Sequence, residues 1–131
     1  TDCPQKYKNF FESYLMRSTV LTDPDLSREE LEAQLNGLTI TAPTLAEKTK
    51  EVCLALYDLT IAHQSNDYFE DLSNDFKYQQ LEIIYYQALN AALKGDKHRA
   101  NDLFHKLVSE DESLYIVRKA KRYLKDEGNH L

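Results

Sequence analysis

The sequence predicts an all-α fold: a compact array of five to six helices ending in a helix-turn-helix hairpin with one further helix packed on it. Three observations predict this. Only 3 Gly and 3 Pro occur in 131 residues, too few to turn a chain through the many tight corners of an all-β protein. Apolar residues recur at three- and four-residue spacing over most of the length, the period of helices that bury one face. Ser27-Arg28-Glu29-Glu30 and Thr44-Leu45-Ala46-Glu47 both read as capping boxes, in which a hydroxyl and a carboxylate each satisfy an orphan backbone donor at a helix start. The length suits a single domain over residues 1–131, and 42% hydrophobic with 29% charged residues is the balance of a folded globular chain.

The first helix is expected over 5–18, with Tyr7, Phe10, Phe11, Tyr14 and Leu15 on one stripe and Tyr14 in the core. Residues 19–26 contain Asp23-Pro24-Asp25 and read as a loop. The first capping box opens a short helix over 28–36 that Gly37 closes, and 38–43 reads as an extended connector. From the second box a longer helix runs over about 45–64, with Leu45, Thr49, Val52, Leu56 and Leu59 along one side and His63 as its C-terminal cap. Residues 64–74 are polar. Asp67, Glu70 and Asp71 there, with Asp75 just after, lack the central Gly and terminal bidentate Glu of a calcium loop, so Asx turns and an N-cap account for them. Helices over 75–94, 97–109 and 113–126 follow, separated by Gly95-Asp96 and by 110–113, with Gly128 marking the end of the last.

The span from Tyr85 to Ser113 resembles one tetratricopeptide repeat, the helix–turn–helix unit of about 34 residues. Gly95 ends the first helix, Ala100 follows five positions later and Phe104 four after that, with Ala88 at the small position of the first helix. Glu112 stands near where that family places a Pro, and the period occurs once. The resemblance implies peptide or protein binding on a helical face.

Charge narrows the partners. The net charge is −6, and residues 118–131 carry +3 against −9 for the first 117. That balance disfavours nonspecific nucleic-acid binding, in which Lys and Arg neutralising phosphates supply most of the affinity, and no nucleic-acid partner is expected. No run of about 18 apolar residues is present to span a membrane. Cys3 and Cys53, the only cysteines, are expected to form a disulfide tying the N-terminus to the core, and with it a secreted or periplasmic setting. Two free cysteines would instead fit the cytoplasm.

No catalytic signature is present. His98, Asp102 and His105 share a helix face, but the buried stripe there is Ala100, Phe104 and Leu107, which turns the histidines toward solvent; no metal and no cofactor are expected. No histidine has a nucleophile motif beside it. Nine Tyr and five Phe without Trp are the most informative remainder, since Tyr offers contact area at low entropic cost. Adjacent Tyr85 and Tyr86, like Tyr68 and Phe69, are not both expected to point inward. The expected function is therefore that of a small non-catalytic domain that binds a protein partner, as an assembly accessory, inhibitor or immunity-type protein. The candidate contacts are Tyr68, Phe69, Tyr86 and the face of Arg118, Lys121 and Arg122. A carrier of a small apolar ligand in a helical pocket is the alternative.

Overall fold

The computed structural model describes residues 4–129, which form six α-helices and no strand. In order these are α1 (Gln5–Thr22), α2 (Arg28–Asn36), α3 (Pro43–Tyr57), α4 (Lys77–Leu93), α5 (Lys97–Val108) and α6 (Tyr115–Asn129). Packing gathers into two units, Thr1–His63 and Gln64–Leu131.

In the first unit α1 packs on α3, and α2 touches α3 more lightly. Helix α1 runs one turn beyond the expected stop, because Val20 is buried and holds the last turn to the core. It ends at Asp23, whose backbone is extended (φ −114°, ψ 94°), as the residue before a proline prefers. Ser27 caps α2 by accepting from the Glu30 N–H, as its box predicts. Gly37 closes the helix by donating to the Ala33 and Gln34 carbonyls, without leaving the right-handed half of backbone space (φ −90°).

The start of α3 is a correction. Thr44 is not its cap: Ala42 is the N-cap and Pro43 is the first helical residue, where its missing N–H costs nothing and its fixed φ suits the helix. After Tyr57 the helix widens into a π-turn, Asp58–Ala62, and His63 ends it in the left-handed region (φ 54°, ψ 46°), donating its N–H to the Asp58 carbonyl. That is the capping role expected of it. Met16, Val20, Leu31, Leu35, Cys53, Leu56 and Leu59 form the apolar core of this unit.

In the second unit α4 and α5 make the expected hairpin and α6 packs mainly against α5. Gly95 takes φ 84°, which a side chain disfavours, and Gly95 and Asp96 donate to the Ala92 and Ala91 carbonyls to finish α4. Asp96 then caps α5 by accepting from the Arg99 N–H. Helix α6 continues through Gly128, so that residue is not its stop; a single Gly costs only about 1 kcal/mol within a helix. The polar segment before α4 folds as its Asn residues suggest. Asn66 caps a short 3₁₀ turn, Asp67–Phe69, by accepting from the Tyr68 N–H, and Asn74 accepts from the Phe76 N–H.

That segment is fastened by Asn90 of α4, which is almost wholly buried. Its carbonyl oxygen accepts from the Asn66 N–H at 2.8 Å, and its amide donates to Asp67 and Glu70 at 2.9 and 2.7 Å. Arg99 of α5 grips both oxygens of Glu70, the closer at 2.6 Å, and Gln87 donates to the Phe69 carbonyl at 2.8 Å. Among the described residues no buried side-chain polar atom lacks a partner.

Candidate functional site

Helix α1 has two faces, and the polar one is inside. Its buried residues are Asn9, Ser13, Met16 and Val20. Asn9 lies against the α2–α3 connector, donating to the Thr41 hydroxyl at 3.0 Å and accepting from the Thr41 N–H at 3.2 Å. Gln5 donates to the same Asn9 oxygen at 2.9 Å. Ser13 meets Thr49 of α3 at 2.7 Å. Because the Thr49 hydroxyl already donates to the Leu45 carbonyl at 2.7 Å, Ser13 is the donor of that pair. Glu12 accepts from both the N–H and the hydroxyl of Thr39, at 2.7 and 2.6 Å. Each polar group on this side therefore meets a partner on the connector or on α3, which makes burying it affordable.

The stripe expected to form the core points outward instead. Tyr7, Phe10, Phe11, Tyr14 and Leu15 are each 46% to 62% exposed. With 100° between successive residues, positions 7, 10, 11, 14 and 15 share one side and 9, 13, 16 and 20 lie opposite. Tyr14 is thus no core residue. The physical reason is that α3 and the connector reach α1 only along the Asn9–Val20 line, and a helix with neighbours on one side buries one side. Leu21, 41% exposed, extends the apolar stripe toward the helix end.

The stripe is edged by cations. Lys6, Lys8 and Arg17 are all exposed, while Glu12, the one acid of α1, is held by Thr39. Beside Leu15 an open groove runs along Met16 and Thr19 to Gln34 and Leu38. Beneath α1, burial pushes the Cys53 thiol up to about 11, with nearby Arg17 pulling weakly the other way. Such a thiol is a packing residue rather than a nucleophile. The pairing expected of it lies outside the described residues, because Cys3 is not among them.

The contacts expected from sequence divide in two. Phe69 and Tyr86 are buried, with rings stacked at 4.9 Å and 29°, and half-buried Tyr68 meets the Phe69 edge at 5.1 Å. This aromatic group seals the 64–70 segment onto α4 and offers little surface. Tyr85 and Tyr86 both point inward, against expectation. Tyr85 meets Phe104 of α5 at 5.9 Å and Tyr86 meets Phe69, so neighbours on two sides take consecutive positions of α4. Arg118 and Arg122 of α6 are exposed, and Lys121 is ion-paired with Glu112. Next to them Lys119 lies over the Tyr85 ring at 5.2 Å and the Tyr115 ring at 6.0 Å; desolvation lowers its pKa, opposed by the Glu82 carboxylate.

His98 and Asp102 lie 3.4 Å apart on the exposed side of α5, where His98 is 92% exposed. Among the described residues no three His, Cys, Asp or Glu side chains are grouped to hold a metal, and no helix is long and apolar enough to cross a membrane.

Sequence reasoning missed the α1 face. The signal that could have found it is a second stripe at helical spacing, Asn9-Ser13-Met16-Val20, which competes with the aromatic one. No family model, no curated protein and no solved structure matches this chain.

Proposed function

We propose that this chain is a non-catalytic protein-binding domain, of the assembly-accessory, inhibitor or immunity type, and that it recognises its partner through the outward face of α1. One observation carries the reading. Five large apolar side chains at positions 7, 10, 11, 14 and 15 stand exposed on a helix whose opposite face is fixed by paired polar groups. Contiguous apolar surface of this kind is uncommon on a protein that works alone. Each aromatic side chain carries about 150–250 Å², so covering the exposed parts removes roughly 500 Å² from water. At about 25 cal/mol per Å² that is on the order of 12 kcal/mol before the costs of association. A helix anchored in this way has its contact residues pre-ordered, which lowers those costs.

The tetratricopeptide-like spacing adds little, since Ala88, Ala100 and Phe104 are all internal to one hairpin. The alternative, a carrier of a small apolar ligand, draws no support from the groove beside α1, which opens to solvent.

The test compares affinity capture from source-cell extract by the native protein and by a Phe10→Ser/Phe11→Ser variant. The expected outcome is one stoichiometric partner held by the native protein and lost from the variant, with the thermal midpoint unchanged. A partner held equally by both would move the site off α1, and a variant that fails to fold would show the face to be core.

A further inference from the structure

Building on the α1 reading, we infer that the partner presents an apolar groove bordered by acidic side chains, into which α1 lies sideways. The apolar positions follow the i, i+3, i+4, i+7, i+8 pattern of a helix laid in a groove. From Tyr7 to Leu15 they run about 12 Å along the axis at 1.5 Å per residue, a little over two turns. The charges at the edges then select the occupant. Lys6 and Arg17 lie toward one edge of the stripe and Lys8 toward the other. All three are exposed, and none is ion-paired among the described residues. Glu12 keeps its charge but lies off the stripe, with both carboxylate oxygens turned to Thr39.

This rim argues against a second copy of the chain. Two α1 helices packed face to face about a two-fold axis run either antiparallel, with each flank against the same flank of the other copy, or parallel, with each flank against the opposite one. The Lys6 and Arg17 edge would face its own copy in the first case and the Lys8 edge in the second, so the flanks bring like charges together either way. A groove edged by Asp and Glu reverses each of those contacts into attraction. It also steers encounter toward the cationic edges of α1, in a chain whose net charge is −6.

The experiment uses the full chain carrying a photo-crosslinking phenylalanine analogue at position 11. It is irradiated in source-cell extract and the crosslinked peptide is sequenced. The purified partner is then titrated with the native protein, with Lys6→Glu/Arg17→Glu, and with the charge-keeping Lys6→Arg/Arg17→Lys. Expected are a crosslink to an apolar segment bordered by Asp or Glu, and affinity that falls about tenfold between about 50 and about 300 mM salt. The charge-reversal variant should lose at least about tenfold, and the charge-keeping variant should lose little.

A partner crosslinked through position 11 but indifferent to salt and to charge reversal would overturn the acidic rim and leave the α1 reading standing. Crosslinks only within the chain or to a second copy, or none at all, would overturn both. The third arm sediments the protein with phosphatidylcholine vesicles, with and without roughly one-third phosphatidylserine. Binding to the anionic vesicles with no protein crosslink would replace the groove by a lipid surface.

Discussion

Helices α1 and α4 are of similar length and both carry aromatic residues, yet they use them in opposite ways. Helix α4 is covered on most of its circumference, with α5, α6 and the 3₁₀ segment all packed on it, so Tyr85 and Tyr86 point in different directions and are both buried. Helix α1 has α3 and the connector on one side only, and its four aromatic side chains lie on the other. An aromatic residue is drawn inward only where a neighbour exists to cover it. Both helices also bury polar groups, Asn90 in one and Asn9 with Ser13 in the other, and both do so by supplying partners.

The comparison can be broken or sharpened by substitution. Phe104→Ala should cost the most, about 3–5 kcal/mol, because it empties a wholly buried site stacked on Tyr123 at 4.3 Å and edged by Tyr85; urea unfolding measures it. Asn90→Ala should cost about 2–4 kcal/mol, since it removes three hydrogen bonds and leaves the 64–70 segment unfastened. Hydrogen exchange at Asn66 and Tyr68 would show whether the loosening is local to that segment, and unchanged protection there would contradict the fastening role.

The same network sets an acid limb. Burial alone would raise the Glu70 carboxyl, but hydrogen bonds from Arg99 and Asn90 outweigh it and hold the group below the usual carboxylate range. A carboxyl lowered by folding adds stability that is complete above its ordinary value near about 4.3 and is lost as pH falls through the lower folded value. Native protein should therefore lose stability over that acid range. Glu70→Gln should be less stable at neutral pH and show a shallower decline, and an identical pH profile for the two would contradict the assignment.

Smaller effects test α1. Ser13→Ala should cost about 1 kcal/mol, because Thr49 keeps its bond to the Leu45 carbonyl and no donor is orphaned. Phe11→Ala should change stability by less than about 0.5 kcal/mol, the surface expectation. A cost for Phe11 approaching that for Phe104 would erase the contrast between the two helices and the outward face with it.

Much of the fold was legible. Helix α2 and its Ser27 cap, the Gly95 turn, the His63 cap and the Asn66 and Asn74 turns are local devices, and local chemistry specifies them. The start of α3 was legible in principle, because Pro43 competes openly with the Thr44 box, and a fixed φ prevailed over a side-chain hydrogen bond. The site was not legible. Phe69 and Tyr86 look like surface candidates until a segment 17 residues upstream folds back on α4, and the α1 stripe looks like core until its opposite face finds Thr41 and Thr49.

The sequence by itself determined that the chain is helical, roughly where each helix begins and ends, and that α1 is two-faced, because capping, turn chemistry and periodicity act over a few residues. Which face of α1 turns inward was decided only by tertiary structure. Periodicity says that two faces differ, but burial depends on what the facing elements can offer, and those partners lie 32 and 36 residues away along the chain.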